Sequence, residues 1–304
     1  MRVIITGGTG LIGSALASSL GADGHEVFVL SRSPEKSGNV RAVGWDARTA
    51  AGWGHLANGA DAIVNLAGAS LQGEGILPVR WTEERKRRIR ESRVNAGRAV
   101  VDAVLHATIK PGVVVQSSGV GYYGLQGDTV LDEDAAPGDD FLARLAAEDW
   151  EPSTAAVEEL GVRRVVIRSG AVLDDQEGAL PRLVLPFRFF AGGPMGSGRQ
   201  WLPWIHLADE VAAIRFLIEN SDARGAFNLV APEQVTNAQA ARTLGRVLRR
   251  PSFFRIPAPI LRLAFGELAS VVLHGQRALP RRLLDLGFRF RFPELEPALR
   301  DLLR

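Results

Sequence analysis

The residues Thr6-Gly7-Gly8-Thr9-Gly10-Leu11-Ile12-Gly13 have the types and spacing to hold a diphosphate, and they directly follow the apolar run Val3-Ile4-Ile5. A buried strand entering a glycine turn, with a helix starting near Leu11, presents unpaired backbone N–H groups and the positive end of the helix dipole. Gly7 permits the tight exit from the strand. Gly10 lets a pyrophosphate reach the backbone, and Gly13 lets the helix pack on the strand. Thr9, Leu11 and Ile12 complete the binding turn. The chemistry that this spacing serves is dinucleotide binding.

The nucleotide type is read at the end of the second apolar run, where Phe28-Val29-Leu30 continues as Ser31-Arg32-Ser33. An acidic residue there would accept hydrogen bonds from the adenosine ribose and favour NAD. Serine and arginine instead suit a 2′-phosphate, Arg32 as a charged fork and Ser31 as a neutral donor. NADP(H) is therefore expected ahead of NAD(H), the bland alternative being that Arg32 is a solvated loop residue. Asp46 offers a carboxylate to the adenine amino group. In Asn65-Leu66-Ala67-Gly68 the small Ala67 and Gly68 let the backbone run past the cofactor, while Asn65 is either a ligand contact or a buried structural amide. Arg168, ending a sixth apolar run, is counted with this pocket.

Elements that could position these residues follow from periodicity. Strand-like runs at 2–5, 26–30, 40–45, 61–66, 112–117 and 163–168 alternate with helical stretches near 12–22, 49–58, 81–105 and 139–160, the last capped by Asp139 or Asp140. That alternation predicts an α/β chain with a Rossmann-like, doubly wound parallel sheet. A helix near 207–219 and a strand at 227–230 return to it. Residues 1–231 are expected to form the NADP-binding domain, whose loop 178–205, with the turn-rich 192–198, contributes to a lid. Residues 232–304, punctuated by Pro251, Pro257, Pro259 and Pro280, read as a smaller, mainly helical C-terminal lid and substrate segment.

Composition narrows the functions available. With 36 basic and 34 acidic residues the net charge is only +2, and lysine occurs only at 36, 86 and 110. The cluster Arg85-Lys86-Arg87-Arg88, continuing to Arg90 and Arg93, is interrupted by Glu83, Glu84 and Glu91. It reads as a solvated helix face rather than a nucleic-acid surface. The absence of cysteine excludes disulfide and thiolate chemistry. The five histidines show no metal-ligand spacing, so no metal is expected. No apolar run is long enough for a membrane span, and the chain is expected in the cytoplasm, as a monomer or homodimer.

Taken together these motifs resemble the short-chain dehydrogenase/reductase superfamily, in its extended branch of NAD(P)-dependent epimerases and dehydratases. The residues carrying the likeness are the turn 6–13, Asn95-Ala96-Gly97, Ser117-Ser118 with Tyr122-Tyr123-Gly124, Trp204-Ile205-His206 with Asp209, and Asn228. A closer likeness is to a subgroup sometimes labelled nucleoside-diphosphate-sugar epimerase or cell-division inhibitor SulA, which carries a C-terminal domain of unknown function. It is carried by Asn65-Leu66-Ala67-Gly68, Arg80-Trp81-Thr82, Gly119-Val120-Gly121-Tyr122-Tyr123-Gly124, Gly192-Gly193-Pro194 and Gly275-Gln276-Arg277-Ala278-Leu279-Pro280, and it spans essentially the whole chain.

The resemblance implies a Tyr-x-x-x-Lys helix, in which the lysine lowers the tyrosine pKa and holds the nicotinamide ribose. With Leu145-Ala146-Ala147-Glu148 setting the register, Asp140 stands at the tyrosine position and Arg144 at the lysine position. Arg144 could still orient the ribose. Proton transfer would fall to Tyr122 or Tyr123, the only tyrosines, with Ser118 polarising a substrate oxygen. The alternative is that one tyrosine packs against the nicotinamide. Arg199, His206 and Arg277 are candidate contacts to an anionic or sugar-nucleotide substrate, His206 also being suited to capping a helix. Two functions fit: an NADP(H)-dependent oxidoreductase or epimerase, and a non-catalytic NADP(H)-binding protein that regulates or supports a partner, such as the division machinery.

Overall fold

The computed structural model describes residues 1–33, 40–71, 73 and 80–304. The apolar runs become seven strands: β1 (Arg2–Thr6), β2 (Glu26–Ser31), β3 (Val40–Gly44), β4 (Ala62–Asn65), β5 (Val113–Gly119), β6 (Arg163–Ser169) and β7 (Gly225–Leu229). They form one sheet in the order β3-β2-β1-β4-β5-β6-β7, and every neighbouring pair is parallel. The order reverses beside β1, which is the switch point where doubly wound sheets bind ligands. Val3, Ile4 and Ile5 are fully buried, as a strand covered on both faces requires.

One face of the sheet is covered by helix α1 (Leu11–Ala22) and the helix Leu207–Glu219, which enclose Val3, Ile5, Leu16, Leu20, Ile214 and Leu217. On the other face α2 (Glu83–His106) packs with Trp53 over Ile4, Ile63 and Val114. In a third apolar cluster Leu180, Val184, Leu244 and Leu299 meet.

Two predicted helices take a different form. The stretch 49–58 yields only a 3-10 turn, Gly54–Ala57, because Gly52 sits at φ +82°, outside helical backbone space. The stretch 139–160 is helical but not uniformly so. An α-turn (Phe141–Arg144) widens into a π-turn (Leu145–Trp150), tightens to a 3-10 turn (Glu151–Thr154) and ends in an α-turn (Ala156–Glu159). Pro152 lacks the N–H that a regular ladder would use at that point, so the hydrogen-bond spacing changes around it.

The C-terminal segment is stitched back onto the preceding chain. Arg277–Ala278 pairs in parallel with Val130–Leu131. The Asp209 carboxylate accepts the backbone N–H groups of Arg291 and Phe292 at 2.7 and 2.8 Å. Among the described residues, no helix is long and apolar enough to cross a membrane.

Candidate functional site

The glycine turn between β1 and α1 is tightly built. Gly7 has φ +67°, and a Cβ there would lie 2.8 Å from the Leu66 carbonyl. At Gly13 a Cβ would meet Gly7 O at 2.4 Å and the Gly8 Cα at 2.6 Å. Gly10 differs: its Cβ would find only Gly7 O, at an ordinary 3.5 Å, so that side of the turn is open. No side chain caps α1, whereas Thr82 caps α2, His206 caps the helix Leu207–Glu219 and Thr236 caps Asn237–Leu248. An uncapped helix start behind an open glycine leaves backbone N–H groups without a side-chain partner, an arrangement that fits a dinucleotide phosphate.

On the adenosine side, Ser31 is buried at the end of β2 and Arg32 is exposed beyond it. The Ser31 hydroxyl donates to Ser33 O at 3.1 Å. Asp46 is already engaged. Its Oδ1 accepts the N–H groups of Arg48 and Thr49, and its Oδ2 accepts the Thr49 hydroxyl, all at 2.8 Å. Thr6, Asn65 and Gln116 form a buried chain in which the Thr6 hydroxyl donates to Asn65 Oδ1 at 2.6 Å and Asn65 Nδ2 donates to Gln116 Oε1 at 2.8 Å. The Ala67 N–H closes it on Thr6 Oγ1 at 3.2 Å. Asn65 therefore holds strand ends together and sets the path of Ala67 and Gly68.

Beyond the turn opens a cleft of about 1160 Å³ between the sheet and the segments 176–203 and 270–276. Pockets for a single small ligand typically measure roughly 300–1000 Å³, so this cleft is larger than most of them. Leu11, Gly119, Tyr122, Ser169 and Trp150 line its sheet side, and the later segments supply Arg188, Gln200, Trp201 and Gln276. Of the four residues expected to be catalytic, only Tyr122 lines this cleft. Its ring lies on the guanidinium of Arg168, with Cζ 3.4 Å from the ring centroid. Tyr123 is fully buried behind it, donating to Asn228 Oδ1 at 2.7 Å and accepting from Arg168 Nη1 at 3.1 Å. Burial pushes the Tyr123 pKa up to about 12, against the opposing pull of Arg168. Ser118 donates to Glu151 Oε1 at 2.7 Å. Arg168 grips Glu151 through Nε at 2.9 Å and Nη2 at 3.0 Å, a two-point ion pair that is almost completely buried. Ser118, Tyr123, Arg168 and Glu151 thus form one polar cluster behind the cleft wall.

The helix 141–159 explains the rest. Asp140 is its N-cap, accepting the N–H groups of Leu142 and Ala143. The face carrying Leu142, Leu145, Ala146 and Trp150 lines the cleft, while Arg144 and Glu148 are exposed on the opposite side. Glu151, one turn after Ala147, is the acid that reaches the sheet. No register of this helix supplies a tyrosine or a lysine.

The three expected substrate contacts lie elsewhere. Arg199 is exposed, with its backbone N–H on Ser197 Oγ. Arg277 donates to Gln234 Oε1 at 2.7 Å and stacks on Trp201. His206 is buried: its Nδ1 accepts the Ala208 N–H at 3.0 Å, its ring stacks on Phe292, and burial lowers its pKa. Of the other cleft-facing polar groups, Arg188 and Gln200 carry no motif that singles them out, while Gln276 lies in the segment 275–280 that carries the family likeness. Arg93 also departs from the solvated face expected of its cluster, for it is buried with its guanidinium over the Trp150 ring.

Beneath this site Glu210 is fully buried, and the Ser169 hydroxyl donates to its Oε1 at 2.6 Å. Burial raises its pKa to about 8, against the ordinary 4.5. The folded protein thus keeps a proton that the unfolded chain releases. The contribution that Glu210 makes to stability should be complete below about pH 4.5 and should fall as pH rises from there towards 8. Glu210→Gln cannot ionise, so it should flatten this decline and be more stable than the parent at the upper end, by on the order of 1 kcal/mol or more. Urea midpoints measured across that range check this; equal slopes in the two proteins would refute it.

Comparisons with known proteins agree with this architecture. The profile of the NAD dependent epimerase/dehydratase family matches residues 3–230, and that of a domain of unknown function, DUF1731, matches residues 256–302. The chain is 38% identical over 305 residues to the epimerase family protein YfhF of Bacillus subtilis, covering 100% of this chain and 98% of that one. The crystal structure of human epimerase family protein SDR39U1 (isoform 2) with NADPH superposes with a TM-score of 0.85 at 36% identity, covering 99% of both chains. MoeE5 in complex with UDP-glucose and NAD shares the fold, with a TM-score of 0.79 at 20% identity over 100% of this chain and 97% of its own. A parallel sheet wound in this order, a glycine turn at its switch point and a family match over most of the chain lead to one conclusion: this protein belongs to the NAD dependent epimerase/dehydratase family.

Proposed function

We propose that this chain is a cytoplasmic NADP(H)-dependent epimerase or oxidoreductase acting on a small anionic or sugar-nucleotide substrate, as a monomer or homodimer. The observation that carries this reading is the uncapped start of α1 behind open Gly10, beside a cleft larger than most pockets for a single small ligand. NADPH in the human relative supports the choice of nucleotide, as does exposed Arg32 at the end of β2. Gly7, Thr9, Gly10, Leu11, Ile12 and Gly13 would hold the diphosphate, Ser31 and Arg32 the 2′-phosphate, and Ala67 and Gly68 would pass beneath the ligand.

When bound, the nicotinamide supplies a centre that gives or takes a hydride. The protein must then move a proton at the substrate oxygen. Tyr122 is the phenol that lines the cleft, and Arg168 beneath its ring fixes its position. Ser118, Tyr123 and the Arg168–Glu151 pair support that wall from behind, and Arg144 on the solvent face has no part in the reaction. The lid polar groups and the cleft-facing loop would select the substrate and exclude water.

Turnover of a panel of carbonyl compounds and sugar nucleotides, followed by absorbance of the reduced nicotinamide, tests the reading. Tyr122→Phe is expected to lower kcat by about 10²–10⁴-fold while leaving NADPH affinity and stability unchanged. Arg32→Ala should weaken NADPH binding about tenfold and leave NADH binding alone. Binding of NADPH without turnover of any substrate would overturn the enzymatic part, leaving a cofactor-binding regulator.

A further inference from the structure

Arg93 is 6% exposed, lines the cleft, and carries a charge that no carboxylate balances among the described residues. Its Nη1 donates to Ala69 O at 3.0 Å and Ile89 O at 3.1 Å. Its Nε is buried without an acceptor, and no carboxylate pairs with the guanidinium among the described residues. The Nε–Nη2 edge left over is the one with which Arg90 grips Asp149 and Arg168 grips Glu151. That edge presents two parallel N–H groups, which match the two oxygens of a carboxylate or phosphate.

A second unpaired donor stands beside it. Arg93 Cζ lies 4.4 Å from the Trp150 ring centroid, and Trp150 Nε1 is itself buried with no acceptor. Both side chains belong to the same cleft wall. They come from different elements, α2 and the π-turn, and Gly68 allows the close fit, since a Cβ there would lie 3.0 Å from Arg93 Cζ. A buried guanidinium without a counter-charge is expensive, and burial accordingly lowers the Arg93 pKa to about 10. Two unsatisfied donors in one wall call for an acceptor that arrives with the ligand.

We propose that Arg93 and Trp150 form an oxyanion receptor in the cleft wall, taking a phosphate or carboxylate of the bound ligand. The inference rests on the reading that this cleft binds NADP(H) with its substrate. The anion has two sources, the cofactor's diphosphate and an acidic group of the substrate. Arg93 is a binding residue in either case.

The test uses the full-length protein and three variants: Arg93→Met, which removes the charge and keeps the bulk; Arg93→Lys, which keeps the charge and removes the fork; and Trp150→Phe, which keeps the ring and removes the N–H. Ligand-free thermal midpoints come first, to separate loss of fold from loss of binding. If the cofactor supplies the anion, NADPH affinity falls about tenfold or more in Arg93→Met, with smaller losses in the other two. If the substrate supplies it, NADPH binding holds and the NADPH-loaded variants lose a similar factor in affinity for UDP-glucose. Either pattern supports the proposal. Changes below about twofold for both probes overturn it and leave the cofactor reading intact. Should the wild type bind no NADPH, the cofactor reading fails, and inorganic pyrophosphate decides the inference alone. A pyrophosphate-induced rise in the wild-type midpoint that Arg93→Met and Trp150→Phe abolish supports the receptor; its absence from the wild type overturns it. Should Arg93→Met not fold, Arg93→Lys and Trp150→Phe carry each comparison.

Discussion

Gly10→Ala is expected to leave the ligand-free protein as stable as the parent and to weaken NADPH binding by about two orders of magnitude. The added methyl would meet only Gly7 O, at 3.5 Å, which is ordinary van der Waals contact. It would, however, occupy the open side of the turn where a diphosphate would touch backbone N–H groups, and losing one or two charge-assisted hydrogen bonds at about 1.5–3 kcal/mol each accounts for the factor. Gly13→Ala is the control with the opposite profile. Within a helix, alanine is ordinarily favoured over glycine by about 1 kcal/mol. Here its Cβ would lie 2.4 Å from Gly7 O, and backbone cannot yield as a flexible side chain would. Overpacking of this kind costs about 1–3 kcal/mol, so the sign inverts and the protein is destabilised with or without ligand. Denaturant midpoints and NADPH titrations on both variants separate the roles. Equal NADPH affinity in Gly10→Ala and the parent would remove the diphosphate from this turn.

Breaking the pair behind the cleft should produce the largest loss of stability. Glu151 accepts from Arg168 at two points and from Ser118, with the ion-pair side chains only 12% and 6% exposed. Glu151→Ala would leave Arg168 buried and uncompensated beneath Tyr122, and removing one partner of a buried pair costs about 3–5 kcal/mol. Replacing both, as Glu151→Leu with Arg168→Met, should restore a substantial part of that loss, because an apolar pair of similar bulk has no stranded charge. A double-mutant cycle on urea midpoints gives the coupling directly. A Glu151→Ala loss below about 1 kcal/mol would mean that the cluster is more solvated than its geometry indicates.

The sheet was readable from sequence because its strands are buried on both faces. Continuous apolar runs such as Val113-Val114-Val115 have no competing helical reading at that length. The glycine turn was legible for a related reason, since three glycines at that spacing after a strand serve few other purposes. The cleft wall was harder to read. Which side of the helix 141–159 faces the cleft depends on a π-turn and on Pro152, and a register counted from Leu145–Glu148 points to Asp140 and Arg144, whereas Glu151 is the residue that reaches the sheet. Arg93 was hidden for a similar reason. In sequence it belongs to a run of cations, and only the packing of α2 against Trp150 distinguishes it from Arg87, which lies exposed near Glu91. Asp46, Arg277 and His206 show the converse: polar types at suggestive positions that neighbouring groups have already engaged.

The parallel pairing of Arg277–Ala278 with Val130–Leu131 has a consequence for the order in which the chain can be made. Close by, Gln276 Nε2 donates to Gly124 O across 152 residues of sequence. A ribosome releases the glycine turn and β1 well before the strip that lines the opposite side of the cleft. Until then the apolar floor beside Tyr122 has no cover, and contacts of such long sequence separation close slowly. Nascent chains should therefore be most prone to aggregate just before residue 276 leaves the exit tunnel, and early nucleotide loading onto the finished half would shelter them through that interval.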